Sequence, residues 1–134
     1  MGASKRKTSV GVVYDSGALI AADRNDRRMW ALHARALQRG VRPVVPAGCV
    51  VEVWRDKQPN LARLLDGCEI EVLDSVAAKR SGLLRRGLPR EIGPIDATVV
   101  ESSVRRKCAV VTSDRPDIEQ LATAARRRLE IIDI

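Results

Sequence analysis

Aromatic residues are scarce in this chain: two Trp, one Tyr and no Phe among 134 residues. A core without Phe must be assembled from Val, Leu, Ile and Ala. Cysteine is also sparse. Cys49, Cys68 and Cys108 stand far apart, and none belongs to a C-x-x-C pair. An odd, scattered set argues against a disulfide framework and against a zinc site, and predicts buried free thiols in a reducing compartment. No apolar run approaches the roughly 18 residues of a membrane span. The first residues, Met1 to Arg6, are charged and lack the apolar stretch of a signal peptide, so the expected location is the cytoplasm.

What the chain has in quantity is positive charge. Lys and Arg number 24 against 17 acids, a formal net charge of +7. Arg predominates, and its planar fork suits bidentate phosphate contacts. A basic domain attracts polyanions, which makes nucleic acid the leading partner class, with simple solubility or membrane-surface charge as the alternative. Apolar residues at 45% and charged residues at 31% are ordinary for a globular domain, and the length suits one domain with its own core. Residues 1–9 read as a flexible basic tail and 10–134 as the folded unit.

Val10 to Tyr14 is a short, nearly continuous apolar run ending in Asp15. Continuous hydrophobicity suits a strand covered on both faces. A helix opens over Ser16 to Ala22, and a longer one is expected from Asp26 to Arg39, with Gly40 placed to stop it. Val41 to Val45 contains Pro43 and is closed by Pro46, so it is a short strand at best. Helices follow over Ala47 to Arg55 and Asn60 to Leu65, then a strand over Ile70 to Leu73. Ser75 is the expected N-cap of a helix to Arg86. Pro94 suits the first turn of a helix to Lys107. Ala109 to Thr112 is the clearest buried strand, followed by a helix over Asp117 to Arg127 and a last strand over Glu130 to Ile132. Strands alternating with helices mean an α/β layered fold around a mainly parallel sheet.

In such sheets ligands bind beyond the carboxyl ends of the strands, where the strand order reverses. Asp15 and Asp114 both fall at strand ends. Asp96 lies in the first turn of its helix, and Glu52 lies in the helix after the second strand. Each has an innocent reading. Asp15 and Asp114 suit helix N-caps, and Asp114 with Asp117 resembles a capping box. Asp96 is favoured at a helix start by the macrodipole alone, and Glu52 suits a solvated face. As a set they are harder to dismiss. Glu52 in Val50-Val51-Glu52-Val53-Trp54 and Asp96 in Pro94-Ile95-Asp96-Ala97 have apolar neighbours, where a carboxylate is costly to ionise unless compensated. Clustered acids raise one another's pKa, and a hard divalent cation such as Mg²⁺ or Mn²⁺ removes that penalty. An acid cluster on a basic chain has the logic of metal-assisted phosphodiester hydrolysis.

Four motifs carry a family resemblance: Val13-Tyr14-Asp15-Ser16-Gly17-Ala18-Leu19, Val51-Glu52-Val53, Ile95-Asp96-Ala97, and Val111-Thr112-Ser113-Asp114-Arg115-Pro116-Asp117. Taken in order, over residues 10 to 134, the chain resembles PIN-domain ribonucleases, and among them the short VapC toxins of VapBC-type toxin–antitoxin pairs. The resemblance implies a three-layer α/β/α sandwich with a five-stranded, mainly parallel sheet ordered 3-2-1-4-5, which puts the first and fourth strands side by side. It also implies a Mg²⁺- or Mn²⁺-dependent endoribonuclease, an RNA substrate, a cognate antitoxin protein and a homodimer. Its acidic positions would be Asp15, Glu52, Asp96 and Asp114, with Asp117 a variable fifth. Asp15, Asp96, Asp114 and Asp117 would bind metal, and Glu52 would act through water. Ser16 and Thr112 either hydrogen-bond carboxylate oxygens or serve as a cap and a strand-end hydroxyl.

Other residues invite more local readings. His33, the only histidine, sits between apolar and basic residues on a helix and reads as structural. Arg24, Arg27, Arg28, Arg35 and Arg39 either hold RNA phosphates or form a solvated helix face. Trp30 and Trp54 could stack on bases, but their apolar neighbours favour core or dimer contacts. Two other function classes compete. A receiver-like signalling domain also carries acids at strand ends, but would need a second acid beside Asp15 and a Lys after the last strand. A basic nucleic-acid-binding or scaffold domain with the same fold would have no need of all four acids.

Overall fold

The computed structural model describes residues 11–134. The expected tail, residues 1–9, and Val10 lie outside the described residues.

Five short strands form one parallel sheet in the order β3-β2-β1-β4-β5. They are β1 (Val12–Tyr14), β2 (Val44–Pro46), β3 (Glu69–Glu71), β4 (Ala109–Thr112) and β5 (Ile131–Asp133). Every residue of β1, β2 and β4 is buried, as expected of parallel strands covered on both faces. Seven helices connect and cover them: α1 (Ser16–Asp23), α2 (Arg27–Gln38), α3 (Ala47–Val53), α4 (Pro59–Asp66), α5 (Ser75–Leu84), α6 (Pro94–Arg106) and α7 (Arg115–Ala124). The arrangement is the three-layer α/β/α sandwich. Helix α6 packs across β1, β2 and β4 with α5 and α7 beside it, while α1 leans on β1 and β4 and meets α2, α3 and α4.

The core is aliphatic, as the missing Phe requires, and is completed by Tyr14 and Met29. Helix α2 stops where Gly40 takes φ +78°, a left-handed conformation that glycine adopts without penalty. Tyr14, at the end of β1, hydrogen-bonds through its hydroxyl with Nδ1 of His33 on α2 at 2.8 Å. Trp30 meets the His33 ring edge-on and gives its indole N–H to the Ala22 carbonyl. His33 is thus a buried structural residue joining α2 to the central strand.

Element boundaries differ from expectation in instructive places. The second strand is Val44–Pro46 rather than Val41–Val45; Pro46 is its last residue and the N-cap of α3. The third strand starts at Glu69 rather than Ile70 and stops before Val72. Glu69, Glu71 and Glu101 pair with Arg105 and Arg106 at 2.8–3.0 Å, so this charged edge strand is tied to α6 by ions. Asp74, not Ser75, caps α5, its carboxylate accepting from Ala77 N–H at 2.8 Å. Helix α7 starts at Arg115, two residues before the expected Asp117, because Pro116 sits comfortably in a first turn. Cys49 and Cys68 are buried and Cys108 is half-buried; all three are free thiols. No helix among the described residues is long and apolar enough to cross a membrane.

Candidate active site

The register of β1 against β4 sets the site. Val12, Val13 and Tyr14 lie beside Ala109, Val110 and Val111, and the Asp15 N–H continues the ladder to the Val111 carbonyl at 3.1 Å. Asp15 and Thr112 therefore emerge together at the carboxyl end of the sheet. Asp15 does cap α1, as the innocent reading supposed: Oδ1 accepts from Ala18 N–H at 2.8 Å. A cap alone, however, sits at the surface, whereas Asp15 is only 2% exposed. Burial raises its pKa, and the Asp114 charge adds to that. The Thr112 hydroxyl and the Ala18 and Ser113 N–H groups pull it back down. Thr112 works in two directions, because its oxygen also accepts the Asp114 N–H at 2.8 Å.

Asp114, Asp96 and Asp117 converge. One carboxylate oxygen from each lies within 4.8 Å of the others. Asp114 stands at the end of β4, and its side chain makes no cap bond to α7, so the capping-box reading fails there. Asp96 projects from the first turn of α6, behind Pro94. Its pKa is pushed up to about 6, first by burial and then by the charges of Asp15, Asp114, Asp117 and Glu52. Asp117 is raised as well, by desolvation, by the Asp114 charge and by its hydrogen bond with Asp114. Three carboxyls crowded in this way repel one another unless a proton or a cation intervenes.

Glu52 is placed differently from the expectation built on its apolar neighbours. It is exposed, and the adjoining Val51 is 77% exposed, so the apolar sequence around it does not bury it. On this short helix the inward positions are Cys49 and Val53, and Glu52 and Val51 face out. What holds Glu52 is Ser16, whose hydroxyl donates to its Oε1. Ser16 also hydrogen-bonds with Cys49, a buried thiol pushed up to about 12 by desolvation, with the charges of Asp15, Glu52 and Asp96 adding to it. The sequence marked Cys49 only as a buried thiol and did not single out Glu91, whose charge reaches Asp117. It missed Gly17 too. A Cβ there would lie 1.8 Å from Ser113 Oγ, so only glycine lets α1 approach the β4–α7 turn this closely. The signal was present in Asp-Ser-Gly at a strand end, where a small residue permits close backbone approach.

The donor set suits a hard cation. All the converging atoms are carboxylate oxygens, and a spread of 4.8 Å or less fits ligands that share one ion at roughly 2.0–2.6 Å each.

Among the solved structures that resemble this arrangement of strands and helices are two VapBC complexes. One is a chain of VapBC2 from Rickettsia felis, a complex bound to a DNA fragment from its promoter. It gives a TM-score of 0.65 at 14% identity, covering 92% of this chain and 98% of that one. The other is a chain of DNA-bound VapBC from Salmonella typhimurium, with a TM-score of 0.67 at 18% identity and the same coverage. The fold is a PIN-type fold. At these identities the likeness is one of fold, and the sheet order of the PIN fold, with β1 beside β4, is what brings Asp15 next to Asp114. No protein-family model and no curated protein matches the sequence.

The arginines named above are exposed. Arg28 reaches the Asp133 carbonyl at 3.2 Å and so ties α2 to the end of β5. Trp30 is half-buried with the Arg63 guanidinium 4.3 Å above its ring, while Trp54 is 39% exposed.

Proposed function

We propose that the chain is a divalent-metal-dependent endoribonuclease, the toxin of a toxin–antitoxin pair, held in check by a cognate antitoxin protein. The observation that carries this reading is the convergence of Asp96, Asp114 and Asp117 at the sheet end where Asp15 is buried. Three acids this close repel one another unless a proton or a cation intervenes, and a chain of net charge +7 suits an anionic substrate. Bound there, Mg²⁺ or Mn²⁺ would supply an activated water and neutralise charge on the phosphodiester.

The chain's own groups have distinct tasks. Asp96, Asp114 and Asp117 offer the oxygens that hold the ion, with Asp15 behind them. Thr112 fixes the Asp15 carboxylate and the Asp114 backbone together, so the two acids keep their spacing. Glu52, steadied by Ser16, would accept a hydrogen bond from the attacking water and orient it. The solved neighbours are VapBC complexes, which supports an antitoxin as partner. A homodimer and a cytoplasmic setting accompany the proposal, the latter in keeping with three free thiols.

RNA cleavage in Mg²⁺ or Mn²⁺ tests the proposal on wild type, Asp15→Asn and Asp96→Asn. Cleavage by wild type that drops at least a hundredfold in both variants is the expected result. Equal activity in all three would overturn it. RNA binding by wild type without cleavage would make this a non-catalytic nucleic-acid-binding domain instead.

A further inference from the structure

At the far pole of the sheet, where β4 begins, lies a cavity of about 570 Å³ whose lining includes Val104, Lys107, Arg127, Arg128, Leu129 and Glu130. Three cations line it against one acid. Lys107, Arg127 and Arg128 are exposed, and none has an ion-pair partner among the described residues, where the paired arginines are Arg105, Arg106 and Arg115. Lys107 is also common to two adjoining cavities, which bring Arg80 and Arg42 to the same pole. The backbone makes this charge unexpected. Lys107 ends α6 with φ +58° and ψ +46°, and Arg126, just after α7, takes φ +56°. Glycine is the usual residue in that left-handed region, since a Cβ is crowded there. Conformation alone would place glycine at both helix ends, and the chain has a cation at each.

We infer that this cavity binds a linear polyphosphate, free or as the phosphate chain of a nucleotide, with Lys107, Arg127 and Arg128 on its oxygens. The inference does not depend on the nuclease reading, because it concerns the opposite end of the sheet. Ala109, which lines the cavity, and Asp114 are five residues apart across β4, about 17 Å. Asp96 and Lys107 are eleven residues apart along α6, about 16 Å. Both separations exceed the Debye length of roughly 8 Å at physiological salt, so these cations do not serve to balance the acids. Nor does the dipole of α6 call for Lys107, since Arg105 and Arg106 already occupy its last turn. An anion accounts for them better. Arginine binds phosphate oxygens through its fork and lysine as a point charge, and three such groups match several negative charges carried close together. The volume lies in the range of small-molecule sites. Val104 and Leu129, both half-buried, add an apolar wall against which a ribose or base can rest.

Calorimetric titration of the full chain in EDTA, at about physiological salt, compares tripolyphosphate, ATP and sulfate. Tripolyphosphate should bind once per chain and at least tenfold more tightly than sulfate. Lys107→Gly and Arg128→Ala should each weaken it about tenfold, and Arg86→Ala, which lines none of these cavities, much less. Lys107→Gly carries its own folding control. Glycine adopts the left-handed conformation without penalty, so this variant's unfolding temperature should equal or exceed that of its parent. Asp96→Asn should leave the affinity unchanged, which separates this site from the acid end. Comparable binding of ATP, weakened by the same two substitutions, identifies the phosphate chain of a nucleotide; much weaker binding of ATP identifies free polyphosphate. No saturable binding, tripolyphosphate no tighter than sulfate, or parental affinity in both Lys107→Gly and Arg128→Ala would overturn the inference. So would a 12-nucleotide RNA without terminal phosphates that relies on Lys107 equally and is not displaced by tripolyphosphate, since the face would then be a general nucleic-acid surface. A wild type that binds tripolyphosphate through Lys107 and cleaves no RNA would defeat the nuclease proposal and leave this site standing.

Discussion

Asp96→Asn should stabilise the metal-free protein and abolish its stabilisation by metal, an inversion that few ordinary site mutations produce. Asp96 is raised from its ordinary 3.8 to about 6, by burial and by four neighbouring acids. A carboxyl raised in the folded state costs stability above that value, and the loss is recovered as pH falls from about 6 towards 3.8. The full gap corresponds to about 3 kcal/mol at pH 7. Asp96 is only half-buried, so solvent screening reduces this to about 1–1.5 kcal/mol. Losing a negative charge from the first turn of α6 gives back roughly 0.3–1 kcal/mol of macrodipole stabilisation. The net gain in EDTA is then about 0–1.2 kcal/mol, a rise of up to a few degrees in Tm for a chain of this size. Metal reverses the order. Wild type at a hundredfold excess of Mn²⁺ over its Kd gains about 2.7 kcal/mol, and the variant little of it. Thermal unfolding in EDTA and in Mn²⁺, from pH 5 to 8, reads both effects. A variant less stable than wild type in EDTA, or a wild-type Tm indifferent to Mn²⁺, would refute the reasoning.

Three further outcomes follow from the contacts. Gly17→Ala drives a Cβ to 1.8 Å from Ser113 Oγ and 2.7 Å from its Cβ, and should cost about 1–3 kcal/mol in urea unfolding; adding Ser113→Gly should recover most of it, and no recovery would mean the clash is misassigned. Asp15→Ala removes both the α1 cap and the Thr112 partner and should cost about 1–2 kcal/mol of stability, whereas Asp117→Asn should leave stability in EDTA unchanged or slightly raised while weakening Mn²⁺ binding; calorimetric titration of Mn²⁺ beside unfolding curves separates the two. Burial would raise Glu71, but hydrogen bonds from Arg105 and Arg106 outweigh it and hold the carboxyl below its usual 4.5. The stabilisation from Glu71 is therefore present above about 4.5 and is lost as pH falls below it, so Glu71→Gln should flatten the acid limb of the stability profile.

How much of this was legible in the sequence depends on what kind of signal each residue left. The central strands were legible because Val12–Tyr14 and Ala109–Thr112 are continuously apolar and the turns after them are polar. The edge strand was read one residue late because its inward contacts are ionic: Glu69 and Glu71 look like loop residues until Arg105 and Arg106 are placed opposite. Asp15, Asp96 and Asp114 could be located from strand ends and a helix start. Glu52 fell in the right helix, but it drew its weight from apolar neighbours that do not bury it, since Val51 turns outward and the carboxylate is held by a hydroxyl 36 positions earlier. Pairings over such distances in sequence leave no local periodicity to read. Gly17 against Ser113 and Cys49 beside the acids belong to the same class.

The structure also divides the acids by how they are satisfied. Asp15 is almost wholly enclosed, yet the chain supplies what its charge needs, in the Ala18 and Ser113 N–H groups and the Thr112 hydroxyl. Glu52 has Ser16. Asp96 has no donor from the chain among the described residues, and Asp117's one hydrogen bond is to another carboxyl, Asp114; both lie beside like charges. Folding alone tolerates the first pair and is opposed by the second. A bound cation would relieve that opposition, and three carboxylate oxygens with no competing donor would favour a small, hard, doubly charged ion. On the proposed reading, the enclosed Asp15 would serve chiefly as a fixed negative wall tying an ion's position to the central strand, so its removal should disturb both fold and ion binding, whereas removal of Asp117 should disturb ion binding alone.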